Sequence, residues 1–217
     1  MIKNLKAILF DFDGVLADTM EDNFTAWKMA FKNKNVEIER GDYFPLEGLK
    51  IPMVAKTIGL KYGIDEKDYP EIIEFKNKYY LENHFFSFYP NVKETVEYIK
   101  KKGLKIAIVT ASNRERLEKT VPRNFLKKFD AVISGDDCIN GKPHPEPYLN
   151  AMRMLNVYGR KSLVVENAPL GIQSAMAAGA HCLAITTTLE KEYLQDADKI
   201  FKNIGEIKEY LKLSIGK

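Results

Sequence analysis

Two aspartates one residue apart, Asp11 and Asp13, stand in the run DFDGVLADT (Asp11 to Thr19), directly after the apolar tetrapeptide AILF (Ala7 to Phe10). A continuous apolar run of this kind is the pattern of a strand covered on both faces in a parallel sheet. Side chains alternate along a strand, so Asp11 and Asp13 leave its end on the same side while Phe12 points the other way, into packing. Two carboxylates then share one site, and at 4 Å with an effective dielectric of 20 their repulsion is about 4 kcal/mol. The spacing asks for a metal ion beside them or a proton on one of them. Gly14 lets the chain leave the strand through a backbone conformation closed to other residues. Asp and Gly are also ordinary turn residues, so Asp-x-Asp-Gly by itself reads equally well as a plain turn. The rest of the chain decides between the two.

Further apolar segments with strand character are Lys105–Thr110, Ala131–Ser134, Leu163–Glu166 and Cys182–Ile185, with a weaker sixth at Lys199–Phe201. Helical patterns separate them, which implies βαβ units, a parallel sheet and right-handed crossovers. Between Asp18 and Tyr89 no strand signal occurs, and apolar positions recur at helical spacing, as in Phe24, Trp27, Phe31 and again Ile72, Phe75, Tyr79. Residues 18–88 therefore form a helical insertion hung from the first strand by two linkers, and residues 1–17 with 89–217 form the α/β part. Pro90 marks the return, and a helix over Val92–Lys102 ends at Gly103.

Open parallel sheets bind ligands at the carboxyl ends of their strands. After the second strand come Thr110, Ala111, Ser112 and Asn113, a hydroxyl-rich turn opening a helix whose free N–H groups suit a phosphate. After the third comes GKPHPEPY, where Lys142 sits in a loop stiffened by three prolines. After the fourth come Glu166 and Asn167, with Pro169 at a helix start and Gly179 at its end. Individually, Thr110 and Ser112 can be helix caps, Lys142 a surface lysine, and Met176 and Trp27 core residues. A carboxylate pair, a hydroxyl, a lysine and an acid, each following a successive strand of one sheet, are hard to assemble by chance.

Composition narrows the field. The chain has 217 residues, 45% of them apolar, enough for one sizeable core with an insertion. Its net charge of +3 is spread along the chain, so no basic tract argues for nucleic acid. No apolar run approaches the roughly 18 residues of a membrane span, and Asp11 cuts the first one too early for a signal peptide, which points to the cytoplasm. Cys138 and Cys182 have neither CxxC spacing nor histidines beside them, which argues against disulfide, zinc or redox roles.

With these motifs in place the chain resembles the haloacid dehalogenase (HAD) superfamily over nearly its full length. The family's four motifs map onto DFDGVLADT, IVTASN, GKPHPEPY and VVENAPLGIQSAMAAG. The resemblance implies a doubly wound parallel α/β sheet, Rossmann-like, with an inserted α-helical cap domain that closes over the site. NFTAW (Asn23 to Trp27) and LEGLK (Leu46 to Lys50) resemble the branch holding β-phosphoglucomutases and small sugar-phosphate phosphatases. The implied reaction is hydrolysis of a small phosphate ester, with Asp11 as nucleophile, Asp13 as acid and base, Thr110 on a phosphoryl oxygen and Lys142 offsetting charge. Magnesium is implied between the Asp11 carboxylate, the Asp13 backbone carbonyl, the phosphate and Glu166, with Asn167 adding an uncharged oxygen. Asn23 and Lys50 of the cap are expected to face the site, and Ala111, Ser112 and Asn113 to meet substrate. Asp13 itself argues against an actual dehalogenase, since that branch lacks an acid there. Asn23 stands where the mutases carry histidine, and Ile51 or Lys50 where they carry an arginine that grips a second phosphate, which favours hydrolysis over isomerisation. A mutase, or a phosphate-binding regulatory module without turnover, are the alternatives. The sequence leaves oligomeric state open.

Overall fold

In the computed structural model, which describes residues 4–215, six strands form one parallel sheet. Residues 1–3 and 216–217, at the ends of the predicted α/β part, lie outside the described residues. The strands are β1 (Ala7–Phe10), β2 (Lys105–Val109), β3 (Ala131–Ile133), β4 (Ser162–Glu166), β5 (His181–Ile185) and β6 (Lys199–Phe201), in the order β3-β2-β1-β4-β5-β6. All six expected strands are present, and their ends differ from expectation by at most one residue. Chain order reverses direction at β1, whose neighbours are β2 and β4, so the crevice for a ligand opens above the carboxyl end of β1.

Four helices follow β1: α1 (Met20–Lys32), α2 (Arg40–Tyr43), α3 (Ile51–Lys61) and α4 (Tyr69–Asn83). They share their own apolar cluster, which includes Trp27, Phe31, Val54, Ile58 and Ile72. The chain leaves the sheet layer at Asp18 and returns at Ser87, and these crossings are bonded to each other, Asp18 N–H to Ser87 C=O (3.0 Å) and Tyr89 N–H to Leu16 C=O (3.2 Å). The buried stripe of α4 is Ile72, Lys76 and Tyr80 rather than Ile72, Phe75 and Tyr79. Both stripes have helical spacing; the apolar residues Phe75 and Tyr79 lie only partly covered at its margin, and a lysine occupies the centre.

The remaining helices are α5 (Val92–Lys101), α6 (Arg114–Thr120), α7 (Arg123–Leu126), α8 (Glu146–Leu155), α9 (Pro169–Ala177) and α10 (Ile204–Ile215). Strand alternation divides them between two faces. Ile8, Phe10 and Phe12 join Val96, Ile99, Phe125 and Ile207 on one face, whereas Ala7 and Leu9 join Tyr148, Ala151, Ile172 and Ala175 on the other. Met176, expected in the core, is 52% exposed, because the inward face of α9 is carried by Ile172 and Ala175. Cys138 and Cys182 are unpaired and buried. No helix among the described residues is long and apolar enough to cross a membrane.

Leu9 is fully buried in the central strand. Leu9→Ala leaves a cavity there and is expected to lower unfolding free energy by about 2–5 kcal/mol. Urea denaturation checks this, with the midpoint falling and the slope unchanged.

Candidate active site

Asp11 continues the side of β1 that carries Leu9, and its N–H donates to Val165 C=O (3.0 Å). The Lys142 ammonium donates to Asp11 Oδ1, to Glu166 Oε1 (2.6 Å) and to Val109 C=O (3.3 Å). Lys142 is thereby a buried cation between two buried carboxylates. Burial works against its charge, but Asp11 and Glu166 outweigh burial and hold the amine protonated above the ordinary lysine range. Burial also pushes the Asp11 carboxyl well above the usual carboxylate range; Lys142 opposes this, and Glu166 and Asp13 add to it. Glu166 was expected at a metal, yet both its oxygens are taken by the protein: Oε1 also accepts from Tyr148 OH (2.6 Å) and Oε2 from Asn167 N–H (3.0 Å). A Cβ on Gly171 would stand 1.9 Å from Glu166 Oε1, so only glycine lets α9 approach this pair.

Asp13 is held by a separate set. Its Oδ1 accepts from Thr19 Oγ1 (2.5 Å), from Asn23 Nδ2 (3.3 Å) and from the Arg116 guanidinium, and its Oδ2 accepts from Ser112 Oγ (3.0 Å). Burial would raise its carboxyl, but Arg116 and these hydrogen bonds dominate and lower it. The repulsion expected from the Asp-x-Asp spacing is thus met in part by two protein cations, Lys142 on Asp11 and Arg116 on Asp13.

Thr110 and Ala111 line the cavity beside Asp11. Asn113 does not face it. Its extended backbone turns the side chain onto its own helix, where Oδ1 caps α6 by accepting from Arg116 N–H (2.9 Å). In the first turn of α6 the Arg114 N–H is taken by Asp136 (2.8 Å) and the Arg116 N–H by Asn113, which leaves fewer N–H groups for phosphate than expected. Asn23 does reach the site, through Asp13. Lys50 crosses from the helical layer to the loop before Lys142, where its ammonium donates to Cys138 C=O (2.7 Å) and Ile139 C=O (3.4 Å) and the residue lines a small cavity with Thr110 and Lys142.

On the fourth-strand side, Asn167 Nδ2 donates to Glu47 Oε1 (2.6 Å) and Thr188 Oγ1 (2.9 Å), while Asn167 Oδ1 is buried with no partner. Gly14 makes this possible: its φ is +82°, and an added Cβ would lie 2.0 Å from Asn167 Nδ2. Burial drives the Glu47 carboxyl well above its usual range, and Asp11 adds to the effect. Asp11, Glu47 and Glu166 therefore crowd one buried region that holds a single cation, Lys142. Among the described residues no three His, Cys, Asp or Glu side chains form a ready metal cage. The donor set is mixed instead: an orphaned amide oxygen, carboxylates short of positive charge, and backbone carbonyls. Magnesium, a hard ion that keeps part of its water, fits such a set better than a full protein cage.

Between the helices and the sheet lies a cavity of about 40 Å³. Its far wall carries Lys76, 1% exposed, whose ammonium donates to Asn23 Oδ1 (3.1 Å) and lies over the rings of Trp27 and Tyr80. Burial, then the nearby Arg116 charge, lowers its pKa to about 7. Glu47, Lys76, Arg116 and Tyr148 are the residues that motif reading missed. Lys76 carries a signal, a charge set four residues from both Ile72 and Tyr80 on one helical stripe. Arg116 carries none, since RERLEK has the look of a solvated helix.

Comparison with known proteins places this geometry. The family model for haloacid dehalogenase-like hydrolases matches residues 8–185. The chain belongs to that family. It is 30% identical over 180 residues, 81% of this chain and 82% of the relative, to the phosphorylated carbohydrates phosphatase of Thermotoga maritima. It is 31% identical over 214 residues to the chloroplastic protein Suppressor of Quenching 1 of Arabidopsis thaliana; this covers 94% of the chain but spans only 20% of that longer protein. Among solved structures, the β-phosphoglucomutase of Clostridium difficile superposes with a TM-score of 0.84 at 24% identity, covering 98% of this chain and 97% of that one, a likeness of fold.

Lys76 yields a pH-dependent prediction. Its pKa in the fold, about 7, lies below its ordinary 10.5. Below pH 7 the amine is charged in both states and the fold carries the whole penalty of burying it; the penalty fades as pH rises from 7 toward 10.5, where the fold holds the amine neutral. Lys76→Met should therefore unfold at higher denaturant than the wild type at pH 6, and the gap should close toward pH 10. Equal pH slopes for both proteins would contradict this.

Proposed function

We propose that the protein hydrolyses a small phosphate monoester, of the phosphosugar type, by way of a phosphorylated Asp11 and with magnesium bound. The observation that carries this reading is the buried Lys142 set between Asp11 and Glu166 at the carboxyl end of β1, which fixes one carboxylate oxygen of an Asp11 that lines the cavity. In the first half-reaction an Asp11 oxygen attacks phosphorus. The bond from phosphorus to the leaving oxygen breaks, that oxygen keeps the electron pair, and a proton from Asp13 neutralises it, a proton Asp13 would carry only after release from Arg116, which lowers its carboxyl here. In the second, water attacks the phosphoaspartate, Asp13 takes the water's proton, and Asp11 is regenerated with release of phosphate. Such acid–base help is worth roughly 10²–10⁴ in rate. Thr110 is read as a donor to the phosphoryl group. Ser112 and Asn23 hold Asp13 instead of touching the phosphate.

Magnesium would be held by Asp11, the Asp13 backbone carbonyl, Asn167 Oδ1 and Glu47. When bound it supplies positive charge to phosphate oxygens and keeps the Asp11 carboxylate ionised against its burial. The helical segment over residues 18–88 is read as a cap domain that opens to admit substrate, since a cavity of about 40 Å³ has room for only a few waters. Small-molecule phosphate esters are the partners this site suits.

A panel of phosphate monoesters, assayed with magnesium and then with chelator, tests the reading. Magnesium-dependent release of phosphate by the wild type, lost in Asp11→Asn with the fold retained, is the expected result. Wild-type-like hydrolysis by that variant would contradict the covalent route. Two further changes report on the metal. Glu47→Gln should raise the magnesium concentration for half-maximal activity several-fold, about 1 kcal/mol. Asn167→Asp should lower it, while lowering thermal stability in chelator, because a second carboxylate then faces Glu47 with nothing between. Unchanged midpoints in both variants would remove these residues from the metal site.

A further inference from the structure

The cavity is electrically divided. At the end of β1 Lys142 is paired with Asp11 and Glu166, and Glu47 of the helical segment, bonded to Asn167, adds a third carboxyl beside them; toward the helices lie two buried cations, Arg116, which is paired with Asp13, and Lys76, which is not. Arg116 is 7% exposed and spans the two layers: it is ion-paired with Asp13 Oδ1, and it donates to Ser112 Oγ (2.6 Å), to Asn23 Oδ1 (3.2 Å) and to Tyr80 OH (3.3 Å), with its guanidinium over the Tyr80 ring. Lys76 has no carboxylate partner among the described residues. Its one hydrogen-bond acceptor is Asn23 Oδ1, the same neutral oxygen that Arg116 uses. A buried charge without a counter-charge is expensive, so this wall is short of one anion. Asp13, meanwhile, has both oxygens occupied by four donors, and in that state it is bound to the wall rather than free to serve the reacting atoms.

Resting on the phosphatase reading above, we propose that Arg116 and Lys76 receive a second anionic group on the leaving part of the substrate, and that this group draws Arg116 off Asp13 and frees the Asp13 carboxylate. The substrate is then a small phosphate ester carrying a carboxylate or a second phosphate. Such an anion supplies the missing charge to Lys76 and gives the guanidinium a bidentate alternative to the single Asp13 oxygen it now holds. Selection acts on turnover as well as on binding, since a substrate with a neutral tail leaves Asp13 where it is. Arg116 is in this account a binding residue that also positions Asp13.

The test uses three alkyl phosphates of matched length, ending in a carboxamide, a carboxylate or a phosphate, with p-nitrophenyl phosphate as a control for phosphatase activity. For the wild type with magnesium, at least one anionic member should exceed the carboxamide in kcat/KM by about tenfold or more, with part of the gain in kcat. In Arg116→Ala the ratio should fall toward one, and Arg116→Lys should restore part of the binding but less of the kcat gain, because a lysine cannot offer the fork. Equal kcat/KM for all three esters in the wild type, or a ratio unchanged in Arg116→Ala, would overturn the proposal while p-nitrophenyl phosphate hydrolysis keeps the phosphatase reading. If p-nitrophenyl phosphate and all three esters are inert with magnesium, both readings fall together. The wild-type comparison stands alone if the alanine variant does not fold.

Discussion

Charge buried at the end of β1 sets the terms for the rest of the molecule. Asp11 lies beneath a covering layer of helices, where its ionised form is disfavoured, and Lys142 is the cation placed against it. To hold that ammonium, the loop before α8 must reach under the cavity, Tyr148 and Glu166 must meet it from α8 and β4, and α9 must carry glycine at position 171 to leave room for Glu166. Breaking one partner of such a buried pair leaves an uncompensated charge, which is far more damaging than losing an exposed one. The pairing is also incomplete: Lys142 faces two carboxylates, Glu47 beside them is bonded only to Asn167 and Thr188, and the remaining deficit suits a hard divalent cation.

The division of charge across the cavity follows from the same logic. Positive charge is scarce around Asp11, Glu47 and Glu166, and Lys76 has no carboxylate partner among the described residues, so the proposed substrate, a phosphate ester with a second anion, would answer both. Arg116 joins the two sides, because it is bonded at once to Asp13, to Asn23 of α1 and to Tyr80 of α4. The helical layer and Asp13 are therefore joined through one guanidinium.

The fold was readable wherever burial imposed a simple period. Six apolar segments gave the six strands, and alternation in AILF correctly sent Phe12 into packing and left Asp11 facing the ligand crevice. The motif residues at strand ends, Asp11, Thr110, Lys142 and Asn167, do come together there. What the sequence concealed were residues whose environment is made by distant partners. Asn113 looked like a ligand and became a cap, because a short polar side chain before a helix finds its own backbone first. Glu166 was read as a metal ligand, and its bonds to Lys142 and Tyr148, across 24 residues of chain in the first case and 18 in the second, were not legible in the sequence. Arg116 and Glu47 carry charges that any exposed helix or loop might carry, and only tertiary packing reveals them as buried.

The central claim is that Asp11 is the nucleophile, and the most direct measurement is to look for the phosphoryl group on it. Protein mixed with a turned-over phosphate ester and magnesium, quenched in acid within a single turnover, digested and examined by mass spectrometry, should yield one phosphoryl group on the peptide containing Asp11. Its amount should rise and decay at rates consistent with steady-state turnover. A time course in which phosphate is released at the full rate while that peptide never carries a phosphoryl group would contradict the account and point to direct attack by water.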